Sequence, residues 1–195
     1  MDGTPAVEGA RLRLEDASYQ VVAQTTVGAD GRYVFADLPP SGEGYTLLFA
    51  QEWTPQYELG QVVSWGWLGP VPVEGGQTTL LPDLDLSLLG FAQLAPAPEA
   101  IHSAAELAAG RGIVFQWTAY PQAAQYWMDL WPAEEGDLAW QSGLIESTSL
   151  DFDGTLDDGA LIQAGEYWWG VGARRPVAGY TWTVYGYQQI LVVGP

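Results

Sequence analysis

The sequence of 195 residues contains no cysteine, no lysine and no asparagine, and it has a single histidine. Without cysteine, the chain forms neither disulfides nor thiolate metal sites. Without asparagine, it has no acceptor for N-linked glycosylation. The single histidine, His102, lies in a segment rich in alanine and proline, and no serine and aspartate complete the pattern of a Ser-His-Asp site around it. We therefore expect a protein that is not an enzyme.

Basic residues are scarce. Six arginines stand against 24 acidic residues, which gives a formal net charge of −18. Nucleic-acid binding needs a basic surface, so no nucleic-acid partner is expected, and the same charge argues against anionic membrane surfaces. No apolar run is long enough to span a membrane, so no membrane insertion is expected. No signal peptide is visible after Met1, so we expect either that a signal peptide has been removed or that the chain is a cut-out fragment.

What the chain does contain favours an all-β fold. It has 10 Trp, 10 Tyr, 24 Gly and 13 Pro. Aromatic and β-branched residues in short alternating runs, separated by turn formers, are typical of antiparallel strands. One such run is "ARLRLED", in which Leu12 and Leu14 share one face. Another is the segment after the Asp30-Gly31 turn, where a strand with Tyr33 and Phe35 on one face is predicted.

The first half resembles a known family. The segments "VEGARLRL", "VVAQTTVGADGRYVFADLPPSGEGYTLLF" and "VPVEGGQTTLLPDLDL" are similar to the carboxypeptidase regulatory-like and collagen-adhesin B-type domains over about residues 5–90. The resemblance implies a transthyretin-like β-sandwich, which we assign to residues 1–92. Some adhesin domains of this kind carry a Lys–Asn isopeptide bond, and this chain has neither residue.

The second half resembles bacterial fibronectin type III-like domains. The resemblance rests on two patterns, carried by Phe115, Trp117, Pro121, Ala124 and Tyr126, and by Leu161 or Ile162, Gly165, Tyr167, Trp169, Val171 and Ala173. It implies a second β-sandwich over residues 113–195, with Tyr167 at the tyrosine-corner position. Residues 93–112 are predicted to be a Pro/Ala-rich linker, in which "HSAAELAA" forms either one or two helical turns or a loop. The predicted architecture is two tandem β-sandwich domains.

Strand alternation sorts the tryptophans into two faces. With Tyr126, Met128 and Leu130 facing the core, Trp127 and Trp131 point outward, and Trp168 does so on the later strand. We predict an exposed patch of these three residues, with Trp182 or Tyr185 adjoining, and we place Trp65 and Trp67 on one side of another extended segment. Such rings suit a protein interface or sugar stacking, or they cover domain edges.

The segment "LDFDGTLDD" spells the first motif of haloacid dehalogenase-like phosphatases, in which one aspartate attacks phosphorus. That chemistry requires a parallel sheet and a basic residue behind the motif, and the surrounding sequence predicts neither. Two alternatives remain for Asp151, Asp153, Asp157 and Asp158. They form a solvated acidic turn between two strands, or they bind Ca²⁺ through hard oxygen ligands. No other cofactor is expected.

The sequence therefore favours a non-catalytic structural, adhesion or assembly module, extracellular or at the cell surface of a bacterium. Its expected partners are proteins, or further copies of the chain, bound through the aromatic patch. The alternative is a carbohydrate-binding module that uses the exposed tryptophans. A further alternative is a subunit of an extracellular filament, in which residues 1–10 complete the sheet of a neighbour by strand addition.

Overall fold

The computed structural model describes residues 8–50, 65–84, 92–98, 100–134, 136–186 and 188–195. Its strands are β1 (Arg11–Glu15), β2 (Val21–Thr26), β3 (Ser41–Ala50), β4 (Trp65–Val73), β5 (Gln93–Ala95), β6 (Ile101–Ser103), β7 (Ile113–Trp117), β8 (Gln125–Pro132), β9 (Trp140–Gln141), β10 (Ser149–Phe152), β11 (Gly165–Val177), β12 (Tyr180–Tyr185) and β13 (Gln189–Gly194). The one helix in this part of the chain, α1, covers Ala104–Ala108. The predicted all-β class is confirmed.

The chain divides into two compact units. Unit 1 comprises Met1–Leu89 and Arg174–Tyr185, and unit 2 comprises Gly90–Ala173 and Gly186–Pro195. The boundary falls inside β11, so the hairpin of residues 174–185 belongs to unit 1. This hairpin turns at Ala178 and Gly179, which both have positive φ angles, as a two-residue type I′ turn requires. The predicted boundaries at residues 92 and 113 stay a prediction.

Unit 1 contains a sheet in the order β2-β1-β3-β4-β12. Leu12 and Leu14 of β1 face the core beside Leu47 and Phe49 of β3, and all four side chains are buried. The strand predicted around Tyr33 is not formed. Residues 27–40 make no strand, because the chain turns between Gly28 and Arg32 and then takes a left-handed conformation at Asp37.

Unit 2 is built from two sheets. One contains β9, β8, β11, β13 and β6, and the other has the order β10-β7-β5. The two sheets pack face to face through aromatic rings. Phe115 of β7 meets Trp169 of β11 with ring centroids 4.8 Å apart, and both are fully buried. The predicted core residues of β7, β8 and β11 all lie in this interior: Ile113, Phe115, Trp117, Tyr126, Met128, Leu130, Tyr167, Trp169 and Val171.

The segment predicted as a linker is part of unit 2 rather than a spacer. Gln93 and Ala95 of β5 pair with β7, and Ile101 to Ser103 of β6 pair in parallel with β13. Between them and β7 lies α1, which buries Leu107. The sequence did not predict β5 and β6, because a strand of three residues is too short to show an alternation of apolar and polar residues. No helix within the described ranges is long and apolar enough to cross a membrane.

The side chain of Tyr167 is hydrogen-bonded to the loop that precedes its own strand. Its Oη donates a hydrogen bond of 3.1 Å to the carbonyl of Gln163, four residues upstream, where the chain enters β11. The bond fixes the path of the loop before the strand.

Replacing Tyr167 by phenylalanine removes this bond and leaves the carbonyl of Gln163 without its donor. We expect the free energy of unfolding to fall by about 0.5–1.5 kcal/mol. Chemical denaturation followed by tryptophan fluorescence measures the change. Tyr19→Phe is the matched control, since that side chain is 84% exposed. Equal stability of the two variants would contradict a structural role for the bond.

Candidate interaction surface

The outer face of the larger sheet of unit 2 carries an apolar surface. We define the apolar sheet face as the side chains of Trp131, Trp168, Ile190, Val192 and Ile101. They come from four strands, β8, β11, β13 and β6. Trp131, Trp168, Ile190 and Val192 alternate with the core residues of their strands, which are Leu130, Tyr167, Trp169, Leu191 and Val193, so they point to the other face of the sheet. Ile101 shares that face as the cross-strand partner of Val192.

The register of the strands brings these residues side by side. Trp168 is opposite Ile190, Glu166 is opposite Val192, and Val192 is opposite Ile101. Cross-strand partners on one face contact each other directly. The apolar sheet face is therefore continuous from β11 through β13 to β6.

Trp131 extends the same face across β8. The Ala133 N–H donates to the carbonyl of Glu166 at 2.8 Å, whereas the ring of Trp127 lies over Gly172. Residue numbers thus rise along β8 as they fall along β11, which makes the two strands antiparallel. In that register Trp131 is opposite Trp168.

Two side chains of the apolar sheet face are exposed to solvent. Trp168 is 36% exposed and Ile101 is 75% exposed, while Trp131, Ile190 and Val192 are half-buried. An aromatic ring and an isoleucine at this exposure cost free energy in water, and large contiguous sets of such side chains are typical of protein interfaces. Sequence analysis found the tryptophans but missed Ile101, Ile190 and Val192. The alternation of buried Leu191 and Val193 was the signal for the last two.

Trp127 is not part of an exposed patch, which corrects the prediction. Its side chain is only 8% exposed, because the glycine at position 172 lets the ring lie flat on the backbone of β11. Its Nε1 donates to Oδ2 of Asp129 at 2.9 Å, and Nε2 of Gln141 donates to Oδ1 of the same carboxylate at 2.6 Å. Alternation placed Trp127 on the correct face, but the cross-strand neighbour decided its burial.

The predicted position of Trp182 is also corrected. Trp182 lies on β12 in unit 1 and is fully buried, with its ring over Gly66 of β4. It pairs with the equally buried Leu68. Trp65 and Trp67 do share one side of β4, opposite Gly66 and Leu68, as expected. Trp65 is 40% exposed and Trp67 is half-buried.

The acidic segment forms turns rather than a gathered site. Oδ1 of Asp153 accepts the N–H of Thr155 at 2.8 Å, and Oδ1 of Asp158 accepts the N–H of Ala160 at 2.8 Å. Asp157 accepts the N–H of Gln141 at 3.1 Å, and Asp151 is exposed on β10. Among the residues that the structure describes, no three acidic or histidine side chains are grouped so as to hold a metal ion.

Chelation is expected to leave the protein unchanged. Because Asp153 and Asp158 already bind backbone amides within their own turns, excess EDTA should not shift the thermal unfolding midpoint. Differential scanning calorimetry in added Ca²⁺ and in excess chelator measures this. A midpoint that rises with Ca²⁺, and does so less in Asp153→Ala, would establish the calcium alternative.

The titratable groups with shifted pKa values are not side chains of the apolar sheet face, although His102 follows Ile101 on β6. Burial, with a smaller effect of the negative charge of Asp83, raises the pKa of Tyr33 to about 12. Burial lowers the pKa of His102, and the carboxylate of Glu106 opposes that shift. Burial raises the pKa of Tyr126, although the N–H of Tyr120 donates to its Oη and has the opposite effect. Tyr33 belongs to unit 1, whereas His102 and Tyr126 are on different strands of unit 2.

Comparison with known proteins adds one local match. No family model matches the chain, and no solved structure matches it. A stretch of 39 residues, 20% of this chain, is 49% identical to Colossin-A from Dictyostelium discoideum. The share of Colossin-A that this stretch covers rounds to 0%. This chain is thus similar to a very small part of that protein, and the match assigns it to no family.

Proposed function

We propose that this chain is a non-catalytic structural or adhesion module of a bacterial surface or secreted protein, and that it binds a partner protein through the apolar sheet face. The observation that carries the proposal is the exposure of Trp168 beside Ile190 on the outer side of a sheet whose inner side is fully packed. A ring that the core does not need, held on a rigid strand, is suited to anchor a partner.

Strand order supports the type of module. The sheet orders of unit 2, together with the tyrosine corner at Tyr167, are those expected of an immunoglobulin-like or fibronectin type III-like sandwich. Domains of this architecture present binding surfaces on rigid sheets and end loops. The supporting argument for unit 1 is the resemblance of its sequence to carboxypeptidase regulatory-like domains.

The charge of the chain indicates the chemistry of the partner. Glu166 is exposed at the edge of the apolar sheet face, and the formal net charge of the whole chain is −18. An apolar patch with a basic rim on the partner would match both features. Binding to such a partner is expected to weaken as the salt concentration rises, because the charged rim is exposed to solvent.

A photo-crosslinking residue at position 168 tests the proposal in the producing cells. We expect one protein species to be captured there repeatedly. The matched control carries the same residue at Gln163, which is exposed before β11. Antibody labelling of intact cells tests the surface location in the same experiment. Equal capture from both positions would contradict the proposal, as would a hydrolase activity that is lost when one acidic residue is mutated.

A carbohydrate ligand is the second candidate. It is favoured by two tryptophans opposite each other at positions 131 and 168, since planar rings stack on sugars, and by the amide–carboxylate pair of Gln141 and Asp129 on the same face. Glycan-array binding that Trp168→Ala abolishes would favour this reading over a protein partner. The filament alternative placed the donor strand in residues 1–10, of which residues 1–7 lie outside the described chain.

A further inference from the structure

The outer side of the sheet in unit 1 carries three of the six arginines of the chain. Leu12 and Leu14 of β1 are buried in the core, so Arg11 and Arg13, which alternate with them, point to the outer side. The register of the strands places Arg174 on the same side. Half of the arginines in a chain of formal net charge −18 are thus gathered on one side of one sheet.

Arg13 and Arg174 stand at the two ends of a row of cross-strand partners. Arg13 of β1 is opposite Leu48 of β3, which is opposite Trp67 of β4. Trp67 is opposite Thr183 of β12. Arg174 is opposite Thr183 in turn, because each is the fourth residue from the two-residue turn that joins β11 to β12. Since adjacent strands are about 4.8 Å apart, the row spans about 19 Å.

Two tryptophans of β4 lie between the arginines. Trp65 and Trp67 share the outer side of β4, where Trp65 is 40% exposed and Trp67 is half-buried. Each is opposite a small buried residue, Ala50 beside Trp65 and Thr183 beside Trp67. A small neighbour leaves room for an indole ring to lie along the sheet and present its flat face. We define the arginine–tryptophan face as the side chains of Arg11, Arg13, Trp65, Trp67 and Arg174.

The arginines define the charge of the ligand. A guanidinium group binds a carboxylate through two parallel hydrogen bonds, so it favours planar anions. Glu15, two residues after Arg13 on the same side of β1, reduces the positive charge beyond one end of the row. The strands in the middle, β4 and β12, contain no charged residue. An anion is therefore attracted to this side of the sheet, although the chain as a whole repels it.

The position of the face favours a polysaccharide over an acidic peptide. A peptide that binds to a sheet is held by main-chain hydrogen bonds at a strand edge, or lies in a groove. The arginine–tryptophan face crosses the middle of the sheet, where the backbone groups of β3 and β4 already pair with neighbouring strands. A sugar ring needs no such backbone partners, because its C–H groups stack on the flat face of an indole.

We propose that the arginine–tryptophan face binds an acidic polysaccharide, whose sugar rings stack on Trp65 and Trp67 and whose carboxylates are held by Arg13 and Arg174. This binding goes beyond the proposed function and uses a surface in unit 1, whereas the apolar sheet face is in unit 2. The two proposals therefore fail independently. Capture of a partner protein at position 168 should be the same in all variants of the arginine–tryptophan face.

Uronate oligosaccharides test the charge and the class of the ligand. Isothermal titration calorimetry of the full chain uses hexamers of galacturonate, of guluronate and of hyaluronan. We expect at least one of them to bind, and its methyl ester, in which the carboxylates are neutral, to bind about tenfold more weakly or worse. Polyglutamate of the same charge is the acidic-peptide control. No binding of any hexamer, equal binding of the methyl ester, or equal binding of polyglutamate would overturn the proposal.

Variants of Arg174, an exposed residue, locate the site. Arg174→Gln should weaken binding of the uronate hexamer by about tenfold. Arg174→Lys should recover only part of that loss, because an ammonium group lacks the planar fork of the guanidinium. The matched control is Arg32→Gln, which removes the same charge from a side chain of unit 1 that is 87% exposed and pairs with Asp30. Equal losses in Arg32→Gln and Arg174→Gln would overturn the proposal.

Substitutions of Trp65 test the stacking of sugar rings. Trp65→Ala should weaken binding of the hexamer by about tenfold, whereas Trp65→Phe keeps a flat ring and should retain most of the affinity. Circular dichroism verifies that both variants are folded. Trp168→Ala removes the same side chain from unit 2 and should bind the hexamer like the wild type. Equal affinities of Trp65→Ala and Trp65→Phe, or a loss of binding in Trp168→Ala alone, would overturn the proposal.

Discussion

Replacing Trp169 by alanine is expected to lower the free energy of unfolding of unit 2 by about 3–5 kcal/mol. Its ring is fully buried between the two sheets, where it packs edge-on against Phe115. Alanine would leave a cavity at the centre of the interior, which the rigid strands around it cannot close. Since a typical domain is stable by only about 5–15 kcal/mol, a loss of this size leaves much of the protein unfolded at modest denaturant concentrations.

The adjacent residue is the matched control. Trp168→Ala removes the same side chain from the next position on the same strand, but this ring points outward. We expect a loss of about 1 kcal/mol, because only the cross-strand contacts of the ring are removed. Urea denaturation of both variants, followed by circular dichroism, measures the difference. Similar losses would contradict the assigned faces of β11. Loss of binding between Trp168→Ala and the partner captured by the wild-type position, with the fold intact, would separate binding from folding.

The second large effect is expected at Gly172. A Cβ atom at this position overlaps the ring of Trp127, which lies flat on β11. Gly172→Ala therefore forces the ring, or the backbone beneath it, to move. It also disturbs the hydrogen bond from Trp127 to Asp129. Overpacking of this kind costs about 1–3 kcal/mol, and we expect a loss in the upper part of that range.

A double-mutant cycle shows whether the ring is the cause. In a Trp127→Ala background the obstacle is absent, so the further cost of Gly172→Ala should be small. Gly143→Ala is the control for the backbone effect of the same substitution, because a Cβ there meets nothing within 4 Å. Costs that simply add in the double variant would show that Trp127 does not occupy the space above Gly172.

Much of the core was accessible from local patterns. The alternation of Ile113, Phe115 and Trp117 with Val114 and Gln116 divided β7 into two faces, and the structure buries the face of the three large residues. The same reasoning assigned Tyr167 and Trp169 to the interior. A strand has a side-chain period of two, so four or five residues suffice to define its faces.

Which segments form strands at all was harder to predict from the sequence. Tyr33 and Phe35 alternate as a strand would, but the chain around them forms no strand. A strand forms only where the N–H and C=O groups of its backbone pair with another strand, and the local sequence does not show which segment that is. Conversely, β5 and β6 were not predicted as strands, because each is too short to show an alternation of apolar and polar residues. They are strands because β7 and β13 pair with them.

By itself, the sequence determined the all-β class, the acidic surface and the face to which each tryptophan of β8 and β11 points. These properties follow from composition and from the two-residue period of a strand. Only the tertiary structure decided which of those rings are exposed. Trp127 and Trp168 point to the same face, yet glycine beneath one ring lets it lie flat and buried, while the other stands open beside Ile190. The exposure of a ring depends on the residue opposite it on the neighbouring strand. Strand register decides which residue that is, and register is set by the tertiary structure.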